Sequence, residues 1–224
     1  MGALKETSPK TVATTRQRLS PEVRERQIVD GAIAFFAEVG LSGQTRELAL
    51  RLSVTQPLIY RYFPTKQDLI DRVYEEVFVG RWRAEWSDLI SNRERSLRER
   101  LIEFYRIYAR DVLTYDWIRI YMFAGLAGED INRRYISLLE DQLLVPIVRE
   151  VRAAARAPKP SEVPVKGLEI EAAWHIHAAI FYYFVRKHIY HAKTEPDLDA
   201  FIEDAVDRTL DGALAVTARA FPET

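Results

Sequence analysis

A chain of 224 residues, 48% hydrophobic and 29% charged, has an ordinary soluble globular composition, with room for one large domain or two small ones. The absence of cysteine excludes a disulfide framework, a thiolate metal site and a cysteine nucleophile. The net charge of -1 divides unevenly, because ten Lys and Arg face six Asp and Glu up to residue 66, a balance of +4 that leaves -5 for the rest.

Residues 1–19 are polar and mildly basic, with no apolar stretch of the kind a secretory signal needs, and read as a flexible arm. Ser20-Pro21 predicts a helix start, because Ser caps and Pro fits the first helical position, where no amide donor is needed. Ile28, Ala32, Phe35, Phe36 and Val39 repeat at helical spacing until Gly40 stops the run. A second helix is predicted over 45–52, with Ser53-Val54 as a turn, and a third over 56–62 that buries Ile59 and Phe63. After Phe63-Pro64, Thr65 and Asp68 have the spacing of a capping box. They open a long fourth helix whose apolar positions Leu69, Ile70, Val73, Val77 and Phe78 run on toward Trp82 and Trp86.

Further helices are predicted over 96–113, 117–126 and 132–155, then a Pro-rich loop over 157–164, then helices over 168–191 and 198–221. Nothing alternates at period two. The fold class is all-α with about nine helices, divided as an arm (1–19), a three-helix helix-turn-helix domain (20–66) and a larger helical bundle (67–224). The longest apolar run, Ala178 to Val185, is far too short to span a bilayer, so a cytoplasmic protein without a membrane partner is expected.

A basic N-terminal unit carrying a helix-turn-helix points to DNA. The second helix of such a pair enters the major groove, and its first residues reach base edges. Gln56, Pro57, Tyr60 and Arg61 share one face of that helix. Gln pairs with adenine, Arg with guanine, and Pro packs on a thymine methyl. Thr55 is the expected N-cap, and Tyr62 and Lys66 lie where a phenol and an ammonium can hold phosphates and set register.

Those residues carry a resemblance. Ala32-x-x-Phe35-Phe36 with Gly40, Thr45-Arg46-Glu47-Leu48-Ala49, Val54 through Phe63, and Thr65-Lys66-Gln67-Asp68-Leu69 are similar to the DNA-binding domain of the tetracycline-repressor (TetR) family of bacterial transcription regulators. The likeness covers about a fifth of the chain and adds Thr45 and Arg46 to the expected DNA contacts. It implies a homodimer on a double-stranded, palindromic operator, joined through its last two long helices. It also implies a small-molecule effector in the C-terminal domain, most simply one that releases a repressor. Two positions depart from the family pattern. Ser53 stands where Gly is usual and a positive φ is expected, and Leu58 replaces a small or hydroxylated residue.

The C-terminal part is rich in aromatics, and aromatic-lined gaps between helices are common ligand sites. Tyr105, Tyr108, Trp117, Tyr121 and Trp174 are the candidates for an effector pocket. The apolar positions Trp174, Ala178, Phe181, Tyr182 and Val185 offer a packing face for a second copy. The four His residues sit on one late helix, but their spacing gives no convergent metal set, so neither metal nor cofactor is expected. His177 is expected in a hydrogen bond or at the dimer interface. No nucleophile–base pair or Gly-rich phosphate loop supports the alternative of an enzyme acting on an aromatic or apolar ligand. A third reading, a nonspecific architectural DNA protein, predicts little beyond salt-dependent backbone binding.

Overall fold

The computed structural model describes residues 19–128 and 130–222, so the arm read over 1–19 lies, Leu19 apart, outside them. The described residues are helical without a strand. The hydroxyl of Ser20 accepts the Val23 amide at 3.3 Å and opens α1 (Pro21–Val39), whose buried positions Ile28, Ala32, Phe35 and Phe36 are those of the predicted stripe. Gly40, at φ 81°, ends it against the ring of Phe123.

Two short helices follow, α2 (Thr45–Arg51) and α3 (Gln56–Tyr62). The turn between them is a Schellman motif: the Ser53 amide donates to Leu50 O at 3.1 Å and the Val54 amide to Ala49 O at 3.0 Å. That geometry puts Ser53 at φ 53°, so a side chain occupies the left-handed position that Gly fills at less cost. Gly31 lets α1 meet this turn closely, since a Cβ there would fall 2.3 Å from Leu52 Cδ2.

The predicted capping box is present at α4 (Lys66–Tyr74): the Asp68 amide donates to Thr65 Oγ1 at 3.1 Å, and the Thr65 amide to Asp68 Oδ2 at 2.8 Å. The long fourth helix does not reach Trp86. It widens into a π turn (Glu75–Val79) that closes where the Gly80 amide donates to Glu75 O at 2.7 Å. A Cβ on residue 80 would lie 2.9 Å from that same oxygen, so the closure needs Gly. The chain restarts as a separate α5 (Glu85–Ser91), which adds a helix to the count.

Ser96 and Glu99 box the start of α6 (Leu97–Asp111), and Thr114 caps α7 (Tyr115–Ala127), which Gly128 ends in a left-handed conformation. Next come α8 (Ile131–Leu139) and α9 (Val145–Ala154), one rod through a second π turn (Glu140–Leu144). Two long helices, α10 (Gly167–His188) and α11 (Leu198–Ala220), complete the described residues. With α8 and α9 taken as one rod they form ten helices, against nine from the sequence.

One hydrophobic core runs from Ile28 of α1 to Leu210 of α11, so the N-terminal helices pack directly on the body. Their seam is specific. Arg119 of α7 donates to the Ala37 and Glu38 carbonyls in the last turn of α1, satisfying acceptors that a helix end leaves open. Arg134 of α8 lies 3.8 Å over the Tyr74 ring and 3.8 Å from Asp71 of α4. No helix among the described residues is long and apolar enough to cross a membrane.

Candidate functional site

On α3, Ile59 and Phe63 are buried while Pro57, Tyr60 and Arg61 are exposed, so the helix turns the predicted face outward. Gln56 and Tyr62 are half-buried beside it, and so is Lys66 at the first position of α4. Thr55 stands at the N-cap with extended backbone, yet its side chain makes no capping hydrogen bond.

Thr45 differs from what was expected of it. Its side chain is only 6% exposed, and its hydroxyl lies 3.0 Å from the Tyr60 hydroxyl and accepts from Gln56 Nε2 at 3.0 Å. The hydroxyl is thus engaged with α3 instead of standing free. Sequence spacing could not reveal this, because Tyr60 reaches back to Thr45 across the turn.

Electrostatics mark the same surface. Among the described residues Arg46, Arg61 and Lys66 make no ion pair, and Arg46 and Arg61 are exposed. Elsewhere the arginines are largely taken up: Arg51 by Glu38 and Glu47, Arg26 and Arg72 by Glu76, Arg98 by Asp207, Arg110 by Asp199. An uncompensated cationic rim around an outward-facing helix suits a polyanion.

The five aromatics expected to line an effector pocket pack in and against the hydrophobic core. Tyr105, Tyr108 and Trp117 are fully buried in a continuous ring stack. Tyr108 stacks on Phe104 at 5.5 Å between centroids, and its hydroxyl bonds that of Tyr135 at 2.7 Å. Trp117 packs on Tyr121 at 4.8 Å, and Tyr121 and Trp174 are half-buried against the same core. These rings build the core because edge-to-face and offset packing fills the space between α6, α7 and α10. Burial drives the Tyr105, Tyr108 and Tyr135 phenols well above the ordinary tyrosine range.

His177 lies inside this core among Tyr105, Tyr108 and Trp174, away from any free face, and its Nδ1 has no hydrogen-bond partner. Burial pushes its pKa down to about 4, so it is neutral at pH 7. Trp174, Phe181 and Val185 likewise turn inward. The outward stripe of α10 is instead Leu168, Glu171, His175, Ala178, Ala179 and Tyr182, with Leu168 83% exposed.

A large cavity, about 660 Å³, opens between α9, α10 and the last turns of α11. Val148, Val151, Ile176, Leu210, Ala213 and Val216 form its walls, and none of the five candidate aromatics lines it. Among the described residues no three His, Asp or Glu side chains converge as metal ligands.

Comparison with known proteins matches these features to relatives. Residues 28–73 match the family model "Bacterial regulatory proteins, tetR family". An HTH-type transcriptional regulator LuxR of Vibrio harveyi is 36% identical over 63 residues, which is 28% of this chain and 31% of that one. The chain therefore matches about a third of the length of this curated relative. Three solved structures resemble the whole fold. One, described as a transcriptional regulator of Pseudomonas aeruginosa PAO1, has a TM-score of 0.67 at 19% identity, over 93% of this chain and 98% of that one. A TetR-like transcriptional regulator of Rhodococcus sp. RHA1 has a TM-score of 0.56 at 17% identity, covering 91% and 98%. A TetR family transcriptional regulator of Pseudomonas syringae pv. tomato has a TM-score of 0.55 at 20% identity, covering 88% and 97%.

Proposed function

We propose that this chain, whose residues 28–73 match the model of the tetR family of bacterial regulatory proteins, is a DNA-binding transcriptional regulator of that family that works as a homodimer and responds to a small molecule. The observation that carries this reading is the surface of α3. Pro57, Tyr60 and Arg61 face outward, Gln56 is held by Thr45, and the neighbouring cations Arg46, Arg61 and Lys66 have no carboxylate partners among the described residues. In this reading Gln56, Pro57, Tyr60 and Arg61 meet base edges, while Tyr62, Thr55, Arg46 and Lys66 meet the backbone. Thr45 acts behind them, through Gln56 and Tyr60.

A second copy joins through α10 and α11. The exposed stripe Leu168, Glu171, His175, Ala178, Ala179 and Tyr182 supports that assignment, because a two-fold dimer sets two recognition helices one DNA turn apart on a palindrome. Arg119 and Arg134 link the body to α1 and α4, which gives a change in the body a route to the spacing of those helices. An effector acts only if it binds the DNA-competent and incompetent arrangements unequally, and repression relieved by ligand is the simplest such scheme. The enzymatic alternative has no comparable support, since the relatives named above are regulators.

The test is selection of bound duplexes from random DNA, followed by gel shifts with Tyr60→Ala and Lys66→Ala. A palindromic consensus is expected, with both variants binding it weakly while remaining folded and dimeric. Recovery of no consensus, or tight binding by both variants, overturns the assignment.

A further inference from the structure

The cavity between α9, α10 and α11 has a chemistry that narrows its ligand. Its depth comes from small residues on facing helices. Ala173 of α10 and Gly212 and Ala213 of α11 leave space between the two rods, and a Cβ on Gly212 would meet nothing within 4 Å. The space reaches inward to buried Leu101 of α6 and Val151 of α9. At about 660 Å³ it falls within the range of small-ligand sites, roughly 300–1,000 Å³.

The polar groups lie at the edges and are of unequal availability. At one end the Phe221 ring has Arg152 on it at 5.1 Å and Lys166 Nζ at 5.2 Å. Arg152 is saturated, binding both Glu169 oxygens at 2.6 Å and the carbonyls of Pro158, Val163 and Pro164. Glu169 is thereby neutralised, and it also accepts the Lys166 amide at 2.9 Å. Arg208 is paired with Asp204 at 2.7 Å, and His175 is exposed. The Lys166 ammonium lies over the Phe221 ring and makes no ion pair among the described residues, so the cavity offers an apolar body and one cation not bridged to a carboxylate.

We propose that this cavity, lined by Val148, Val151, Ile176, Leu210, Ala213 and Val216, binds an apolar molecule with a single anionic head, such as a medium-chain carboxylate, whose head pairs with Lys166. The inference rests on the regulator reading and gives its effector a place and a chemical class. The cavity opens beside Leu168, His175 and Val216, which lie on the face assigned to the second copy. A ligand there sits at the subunit junction, where it can alter how two copies are set against each other.

The experiment titrates the full chain with sodium decanoate and, as a control without the charge, 1-decanol, by calorimetry below their aggregation concentrations. Decanoate is expected to bind saturably, one per chain, at least about tenfold tighter than decanol, the scale of one modest charge-assisted contact. Lys166→Gln is expected to erase that difference, and Gly212→Leu to abolish binding of both with the helical signal intact. If Gly212→Leu does not fold, the Lys166→Gln comparison decides alone. Equal binding of decanoate and decanol by the native chain, or binding that survives Gly212→Leu, overturns the proposal. Absent decanoate binding together with a monomeric Gly212→Leu variant also overturns it and assigns the groove to the partner copy. Selection of DNA on the same preparation separates the two claims, since loss of a consensus there indicts the regulator reading and leaves the cavity result standing.

Discussion

Gln56, the first residue of α3, donates its carboxamide Nε2 to the buried hydroxyl of Thr45 at 3.0 Å, so the side chain proposed to read adenine is held before any DNA arrives. The bond uses one of two amide protons and leaves the other, with Oε1, for a base edge. Holding a reading group in place lowers the entropy lost on binding. Thr45→Val keeps the shape and removes the acceptor. It is expected to relax preference at the base positions that Gln56 and Tyr60 meet in each half-site, with a loss of about 1–3 kcal/mol on the best site. Affinity for random duplexes should stay unchanged. Binding assays on a set of single-base operator variants check this, and an equal loss on every sequence would instead make Thr45 a backbone contact.

Ser53 at φ 53° carries a conformational cost that Gly would not. Relief of that strain, roughly 1–2 kcal/mol, exceeds the extra unfolded-state entropy of Gly, roughly 0.4–1 kcal/mol. Ser53→Gly should therefore stabilise the chain by up to about 1 kcal/mol, a rise in Tm of about 2–4 °C for a chain of this size. Thermal unfolding followed by circular dichroism measures it, and a lower Tm would contradict the strain argument.

Arg119 holds the last carbonyls of α1 from the body side. Arg119→Gln shortens the reach and removes the charge, and should cost about 1.5–3 kcal/mol. The loss should be local. Hydrogen exchange is expected to quicken in the last turn of α1 and in α2, while α10 and α11 remain protected. Uniform acceleration across the chain would mean that Arg119 supports the whole core and not the seam.

His177 makes stability depend on pH. Its folded pKa is depressed to about 4 by burial, below the ordinary 6.5, so between those values the unfolded chain binds a proton that the folded chain refuses. Stability from this residue is complete above pH 6.5 and falls as pH drops toward 4. The loss from this residue between pH 7 and pH 5 is about 2 kcal/mol. Urea unfolding of the native chain and of His177→Phe at both pH values isolates it. The native chain should lose more stability than the variant by that amount, and identical losses would contradict a neutral buried imidazole.

The sequence made the N-terminal half legible because its signals are local. Ser20-Pro21, the Thr65–Asp68 box and the hydrophobic spacing of α1 each act within one or two turns. The expected positive φ at residue 53 is present for the same reason, since a Schellman turn is set by its own six residues. The break at Gly80 was hidden because apolar spacing continues through Trp82 and Trp86, while the decisive contact is the backbone bond from Gly80 to Glu75. Helical spacing marks a buried ring and a pocket ring alike, so it could not separate the two for the aromatics of the body. The cavity between α9, α10 and α11 is signalled by what is missing, the small residues Ala173, Gly212 and Ala213. The burial of Thr45 was hidden for a similar reason, since only the fold brings the Tyr60 hydroxyl to it.

The most direct measurement of the central claim compares affinity for the selected duplex with affinity for its scrambled sequence at one fixed salt concentration, for the native chain and for Gln56→Ala. The native chain should prefer the selected duplex by about 10³-fold or more. Gln56→Ala should lose at least about tenfold of that preference and bind scrambled DNA as before. Equal affinity of the native chain for the two duplexes would contradict the claim that the exposed face of α3 reads DNA sequence.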